Sequence, residues 1–369
     1  MSQAPSTVKT LDNQPKKEEQ QMNKHCKVVV NATEITNEEW LEYRRQGLGG
    51  SDASIVAGIN EYKSPYALWA EKTGIVESEF KGNKATEWGH NLERVVAEQY
   101  ARETNSSVVC FPAILASLER TWQQANVDFF IMRHDYNNAY PAGYVTDVEA
   151  SSLWFSRLPE PEAILEIKTT GIASRGNAKG WHYGQVPEAY ELQGRHYASV
   201  TGITKVVYAC LVGGEGLVIR EREYNQEQLD YLNRIEEEFW NGVQSQTPPD
   251  MTGYDSDFTT LKAQFPTHEP DVVVETDEFG LDLYKEFLQA KAIADEAEAK
   301  VKLIKAQLEL MIGAAEAVAY DGRTLFTYKA TAPGTTIDTK ALMADHPELA
   351  AKYTKPKPGY RVLRTKEEA

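Results

Sequence analysis

One stretch constrains the fold more than any other: Ala163-Ile164-Leu165-Glu166-Ile167-Lys168-Thr169-Thr170, an apolar run with one acid and one base inside it. In an extended strand residues two apart share a face, so Glu166 and Lys168 stand side by side while Leu165 and Ile167 pack into a core on the other. The run predicts a buried strand with a reactive edge. A Glu and a Lys at this spacing also suit an ordinary solvated strand face, so the reading depends on their neighbours. Upstream, Ala125-Asn126-Val127-Asp128-Phe129-Phe130-Ile131 is a β-type run with one carboxylate. Downstream, the stretch from Val186 to Tyr197 predicts a helix opened by Pro187, with Tyr190, Gln193 and Tyr197 on one stripe.

Asp, then Glu-x-Lys, then a helix bearing Gln is the order seen in PD-(D/E)xK nucleases, and that chemistry requires these residue types. Two carboxylates hold a hard divalent ion such as Mg²⁺, the ion lowers the pKa of a bound water, and a lysine ammonium orients that water and offsets phosphate charge.

Composition removes several other classes. The 369 residues suit two or three units, and 41% apolar content is enough for a real core. The sequence has no long uninterrupted apolar run and no apolar leader with a cleavage site, so a cytoplasmic protein without a membrane span is expected. Cys26, Cys110 and Cys210 are far apart and lack C-x-x-C spacing, which argues against a disulfide frame, a zinc cluster or an iron–sulfur site. A formal charge of −16 argues against nonspecific coating of nucleic acid but allows a DNA enzyme with its basic residues gathered in one groove.

Residues 1–30, rich in Gln, Lys, Glu, Pro and Ser, read as a disordered arm, and 31–246 as the core. Thr36-Asn37-Glu38-Glu39 is a capping box opening a helix with Trp40, Leu41, Arg44 and Arg45. It leads to Gly47-Leu48-Gly49-Gly50-Ser51-Asp52-Ala53, where close glycines and a helix start suit an anion, with Arg44 a few residues away to grip phosphate. An ordinary tight connection with a solvated arginine is the alternative there. Trp69, Trp88, Leu92, Val95, Val96 and Tyr100 fit core helices, and Glu93 reads as a first-turn acid complementing a helix dipole unless other carboxylates join it.

Lys205–Val212 and Leu217–Tyr224 predict a hairpin, and 226–244 an amphipathic helix with Leu229, Leu232, Ile235, Phe239 and Val243 inward. Residues 247–270 read as a linker with one helical turn, and 271–369 as a C-terminal extension. In that extension, Leu283, Phe287, Ala290, Ala294, Ala297, Val301, Ile304, Leu308 and Met311 form the seam of a long helix. Asp321-Gly322 turns a hairpin, and the basic segment Lys352 to Lys366 reads as a solvated edge strand in preference to a DNA contact.

With these residues in view the chain resembles the YqaJ-type viral recombinase family, relatives of the phage lambda exonuclease. Trp40-Leu41-Glu42-Tyr43-Arg44 followed by Gly49-Gly50-Ser51-Asp52-Ala53 resembles its opening signature, and Lys63-Ser64-Pro65-Tyr66, Leu68-Trp69 and Glu71-Lys72-Thr73-Gly74 continue it. Trp88-Gly89 with Leu92-Glu93 matches the glutamate helix, Ala125-Asn126-x-Asp128 the metal aspartate, Leu165 to Thr169 the Glu-x-Lys strand, and Gln193, Tyr197, Val200, Thr201 and Gly202 the glutamine helix.

The resemblance implies an α+β, restriction-endonuclease-like PD-(D/E)xK core: a central mixed sheet flanked by helices, followed by a long helix and hairpin. It implies Mg²⁺, with Mn²⁺ as a substitute, at Asp128, Glu166 and the Ile167 carbonyl, and Lys168 at the attacking water. Glu93 would hold or position a second metal or water, Gln193 would lie near the scissile phosphate, and Arg44 and Ser51 would bind a 5′-phosphate end. Its partners would be double-stranded DNA ends and a single-strand annealing protein, and its assembly a ring-shaped homotrimer.

Two features depart from the pattern. Asp128 and Glu166 are 38 positions apart, which allows an insertion with Trp154 and two prolines and makes Asp147 a rival metal ligand, although it follows the turn-rich Pro141-Ala142-Gly143. Arg195 and His196 stand where relatives often carry a second Gln. The expected activity is a 5′-to-3′ exonuclease on linear duplex that leaves 3′ single strands for recombination by strand annealing. A structure-specific endonuclease on the same core is the rival within enzymes, and a non-catalytic DNA-end binder or nuclease inhibitor the rival outside them. A silent relative would be expected to lose Asp128, Glu166 or Lys168, and all three are present.

Overall fold

The Ala163–Thr170 run forms a strand inside a six-stranded mixed sheet. The order is β6 (Val145–Asp147), β2 (Ser107–Cys110), β5 (Phe129–Met132), β7 (Ala163–Thr170), β8 (Lys205–Val212) and β9 (Gly216–Glu223). The computed structural model describes residues 25–77, 84–133, 140–148, 161–171, 180–181, 183–213, 216–356 and 359–365. From Ile164 to Thr170 β7 pairs in parallel with β8, but its antiparallel ladder with β5 ends at Phe129–Leu165. The two strands part there, and among the described residues no strand pairs with the second half of β7 on the edge beside Asp128.

Both faces of the sheet are covered, which is why the first half of β7 is a continuous apolar run, Ala163, Ile164 and Leu165, with Ile167 buried after it. Helix α4 (Lys84–Thr104) lays Val96, Ala97, Tyr100 and Ala101 on Phe129, Ile131, Leu165 and Ile167. On the opposite face α5 (Glu188–Thr201) brings Tyr197, Ala198 and Val200 to Phe130, Ile164 and Tyr208. Its close approach depends on Gly194, where an added Cβ would lie 1.8 Å from the Tyr208 hydroxyl. Helix α6 (Gln226–Gln244), capped by Asn225, buries Leu229, Leu232, Phe239 and Val243 as its periodicity predicts.

Three expectations need correction in this unit, which extends to Pro266. Residues Cys26–Asn31 form β1, paired antiparallel with β3 (Ala113–Ser117), which in turn pairs with β4 (Gln124–Ala125); the expected arm of 1–30 therefore ends in a strand. Consecutive β-branched valines and a fully buried Cys26 outweigh the polar composition before them; residues 1–24 lie outside the described residues. Trp88 and Val95, expected in the core, are exposed. The stretch expected as a linker holds α7 (Asp255–Gln264), which docks on α3 (Pro65–Lys72): the Ser64 amide donates to Ser256 Oγ at 2.9 Å, and the Tyr66 hydroxyl to Gln264 Oε1 at 2.6 Å.

The second unit, Thr267–Ala369, contains α8 (Glu278–Ile312), 35 residues capped by Asp277 and about 52 Å long. Its hairpin, β10 (Ala317–Tyr320) and β11 (Arg323–Thr327), turns at Asp321 and Gly322 with φ of 47° and 72°, the left-handed pair that Asp-Gly favours. Helices α9 (Thr339–Asp345) and α10 (Pro347–Tyr353) follow. The edge strand expected from Lys352 to Lys366 is not formed among the described residues: Lys352 and Tyr353 belong to α10, and Pro356 has no N–H to give a ladder. Among the described residues no helix is long and apolar enough to cross a membrane.

Candidate active site

Where β5 leaves β7, a side chain takes over from the backbone ladder. The Ile167 N–H donates to Asp128 Oδ2 at 2.9 Å. Because the N–H and C=O of one strand residue point to the same edge, the Ile167 carbonyl also faces the gap beside Asp128. Glu166 and Lys168 project toward α5, with Lys168 Nζ 2.5 Å from Glu166 Oε1. Gln193 on α5 closes the cluster: its Nε2 donates to Glu166 Oε1 at 2.7 Å and to the Tyr197 hydroxyl at 3.0 Å, while its Oε1 accepts from Lys168 at 3.2 Å. The Lys168 ammonium also lies 4.7 Å from the Tyr190 ring centre. The predicted stripe of Tyr190, Gln193 and Tyr197 thus faces the Glu-x-Lys strand.

The cluster has more negative than positive charge. Burial, then the neighbouring Asp128, pushes the Glu166 carboxyl up to about 8, despite the adjacent Lys168. Burial also raises Asp128, partly offset by Lys168 and the Ile167 amide. Burial opposes the charge on Lys168, but Glu166 and Asp128 outweigh it and hold the ammonium above its ordinary pKa. Glu166 is 1% exposed, and its Oε2 has no hydrogen-bond partner among the described residues. A buried carboxylate oxygen without a donor is strongly unfavourable unless a cation meets it. No three His, Cys, Asp or Glu side chains among the described residues form a ready-made cage. The oxygen atoms gathered here, from Asp128, Glu166 and the Ile167 carbonyl, are of the kind that would suit Mg²⁺, an ion that retains several waters and uses one or two carboxylates.

Glu93 lies in the third turn of α4, because the described helix begins at Lys84; the reading of a first-turn acid on the dipole is corrected. It accepts from or shares a proton with His90 Nδ1 at 2.9 Å, and burial followed by Asp128 raises its pKa. Glu93 is thus electrostatically joined to the other two carboxylates. Asp147 ends the short outer strand β6 instead of lying in a turn, and it is ion-paired with Arg94. Residues 149–160, which include Trp154, lie outside the described residues.

The glycine turn builds a second cluster beside the first. Helix α1 (Asn37–Arg45), with the predicted capping box at Thr36 and Glu39, aims Arg44 at a 3₁₀ turn, Gly50–Asp52. Arg44 Nη2 donates to Ser51 Oγ and Asp52 Oδ1, each at 3.0 Å, and its guanidinium lies 5.2 Å from the Trp40 ring centre. The following helix α2 (Ala53–Val56) is only four residues long, and the Gly49 N–H is bound to Asp52 Oδ2 at 3.0 Å. The expected anion cradle of helix start and backbone amides is therefore replaced by side chains. Gly50 packs on the active-site helix: an added Cβ would come within 2.5 Å of Tyr197 and 3.0 Å of Gln193. Arg44 and Ser51, remote in sequence from Glu166, are thus joined to it through Gly50, Tyr197 and Gln193.

Two residues given no role by sequence reasoning, Asp52 and Lys72, organise this turn. Burial alone would raise Asp52, but Lys72 and Arg44 hold its carboxyl well below the usual range. Their signal was only their place in the opening signature. Arg195 and His196 are both engaged within the fold. Arg195 pairs with Glu191 at 3.3 Å, and His196 is buried between Glu236 and the Gln124 carbonyl, 2.8 Å from each.

A model of the YqaJ-like viral recombinase domain matches residues 39–204, the span from α1 through the glutamine helix. The uncharacterized protein YqaJ of Bacillus subtilis (strain 168) is 30% identical over 336 residues, covering 90% of this chain and 95% of that protein. Among solved structures, the alkaline exonuclease LHK-Exo of Laribacter hongkongensis is similar at 14% identity, covering 62% of this chain and 98% of its own, with a TM-score of 0.43. Its complex with dAMP gives a TM-score of 0.44 at the same identity and coverage. The family match covers the whole constellation around β7, and the similarity to the Bacillus protein runs almost from end to end, so the chain belongs to the YqaJ-like viral recombinase family.

Proposed function

We propose that the protein is a Mg²⁺-dependent exonuclease that hydrolyses the 5′-ended strand of linear double-stranded DNA and leaves a 3′ single strand for an annealing partner. The observation that carries the metal-dependent hydrolysis is the buried Oε2 of Glu166, without a partner among the described residues, in a cluster where Lys168 is set against Glu93, Asp128 and Glu166. Asp128, Glu166 and the Ile167 carbonyl would hold the ion, with Glu93 at its margin or on a second ion. When bound, Mg²⁺ polarises the phosphate and makes a water nucleophilic at neutral pH.

The chain's own residues provide the positioning. Lys168 directs two of its N–H groups to Glu166 and Gln193, leaving the third for a water or a phosphate oxygen. Gln193 fixes Glu166 and is itself oriented by Tyr197, so the carboxylate cannot turn away from the gap. Arg44 and Ser51 form the end-binding pocket, through Gly50 in contact with the same helix. A pocket that grips a terminal phosphate beside the cutting site favours exonuclease over endonuclease. A homo-oligomer enclosing DNA would provide processivity.

The test is a purified-protein assay on linear and covalently closed circular duplex with either 5′-phosphate or 5′-hydroxyl ends. Degradation confined to linear DNA, from 5′ ends and with a preference for phosphate, is expected. Cutting of closed circles at a comparable rate would overturn the exonuclease reading in favour of the endonuclease.

A further inference from the structure

Lys72 is the most completely bonded cation near the end-binding pocket, and its side chain is 5% exposed. Its Nζ donates to the Arg44 and Gly47 carbonyls at 2.6 Å each and to Asp52 Oδ2 at 2.9 Å. Three acceptors match the three N–H donors of an ammonium, where a neutral amine has only two; burial pulls the Lys72 pKa below its ordinary value, and Asp52 opposes that pull. Asp52 is likewise fully engaged, bonded to Arg44 and Lys72 as well as the Gly49 amide. Charge counting then gives two cations and one anion locked together. Without Lys72, Asp52 would neutralise Arg44, and the pocket would have no net charge to offer a ligand.

We propose that Lys72 is a specificity-determining residue: by engaging Asp52 from the buried side, it leaves the Arg44–Ser51 pocket with one uncompensated positive charge that selects a terminal phosphate monoester. A monoester carries close to two negative charges at neutral pH, and a hydroxyl end none, so a fixed positive charge a few ångströms away separates them. Lys72 acts through Asp52 and Arg44 and does not itself touch the DNA. The inference rests on the reading of Arg44 and Ser51 as the end-binding pocket.

The test compares kcat/KM on linear duplex with 5′-phosphate and 5′-hydroxyl ends for the wild type, Lys72→Met, Asp52→Asn and the double variant. In Lys72→Met, with the net charge at zero, the phosphate preference should fall by about tenfold or more, mainly through KM. Adding Asp52→Asn returns the net charge to +1 and should restore most of the preference. A purely structural role for Lys72 predicts the reverse, a double variant no better than the single, and that result overturns the proposal. If Lys72→Met does not fold, Asp52→Asn alone decides: with a net charge of +2 it should keep or raise the preference, and a loss refutes the charge argument. A wild type indifferent to the end group overturns the end-pocket reading itself, whereas a discriminating wild type matched by Lys72→Met overturns only the role given to Lys72.

Discussion

Replacing Glu166 with Gln should stabilise the metal-free protein at alkaline pH while ending cleavage, a combination that a structural salt bridge would not produce. Glu166 titrates near 4.5 in an unfolded chain and at about 8 in the folded one, because burial and then Asp128 disfavour its charge. Folding stability tied to its protonated form is complete below the unfolded value and is lost as pH rises through about 8. The full shift corresponds to a ceiling of about 5 kcal/mol. Neutral Gln avoids that loss but leaves Lys168 with Asp128 as its nearest counter-charge, so a net gain of about 2 kcal/mol is expected, or roughly 4–8 °C in Tm. Thermal unfolding followed by circular dichroism in EDTA should show the two proteins nearly level at pH 5 and the variant higher at pH 9. Adding Mg²⁺ at pH 9 should raise the wild type and not the variant, since the ion binds only the charged site. A variant that melts below the wild type at pH 9 without metal would refute the reasoning.

Other consequences concern individual contacts. Asp128→Asn should remove Mg²⁺-dependent cleavage, whereas Asp147→Asn, which releases only Arg94 at the sheet edge, should leave it nearly unchanged; the reverse result in a nuclease assay would place the metal at Asp147. Arg44→Ala should reduce the preference for 5′-phosphorylated over 5′-hydroxyl ends by roughly 10- to 150-fold, the scale of lost charged hydrogen bonds, and shorten resection tracts. Gly50→Ala forces Tyr197 or the turn to move, since its Cβ would lie 2.5 Å from the ring; a stability loss of about 1–3 kcal/mol and a fall in both turnover and end preference should follow, read by Tm and steady-state kinetics.

The strand that carries Glu166 and Lys168 was legible because its residue types and its period coincide. Apolar residues at 164, 165 and 167 predict burial on both faces, and the two charged residues among them can only be retained where something compensates them. Gln193 was legible for a similar reason, as a polar residue on the helical stripe of Tyr190 and Tyr197. Asp52 and Lys72 were not, because their pairing joins residues 20 positions apart in sequence through the fold and leaves no periodic trace. The anion turn misled in its details: closely spaced glycines suggest free backbone amides, yet Asp52 takes the Gly49 N–H, and the short α2 ends after one turn. Composition over the first thirty residues concealed β1, since a six-residue strand with three consecutive valines is lost in a window dominated by Gln, Lys and Glu. Glu93 was located correctly on a helix, but its turn depended on where that helix begins, and Trp88-Gly89 gave no stop signal to fix it.

The central claim, that Asp128, Glu166 and Lys168 hydrolyse DNA with a divalent ion, is tested most directly by single-turnover cleavage. A 5′-phosphorylated linear duplex with a 5′ label would be mixed with excess protein and titrated with Mg²⁺, while DNA binding is followed in parallel by fluorescence anisotropy in EDTA. The wild type should release labelled mononucleotide only when Mg²⁺ is present, and Lys168→Ala should bind DNA comparably but cleave several orders of magnitude more slowly. Metal-independent release, or a Lys168→Ala protein that cleaves like the wild type, would contradict the account.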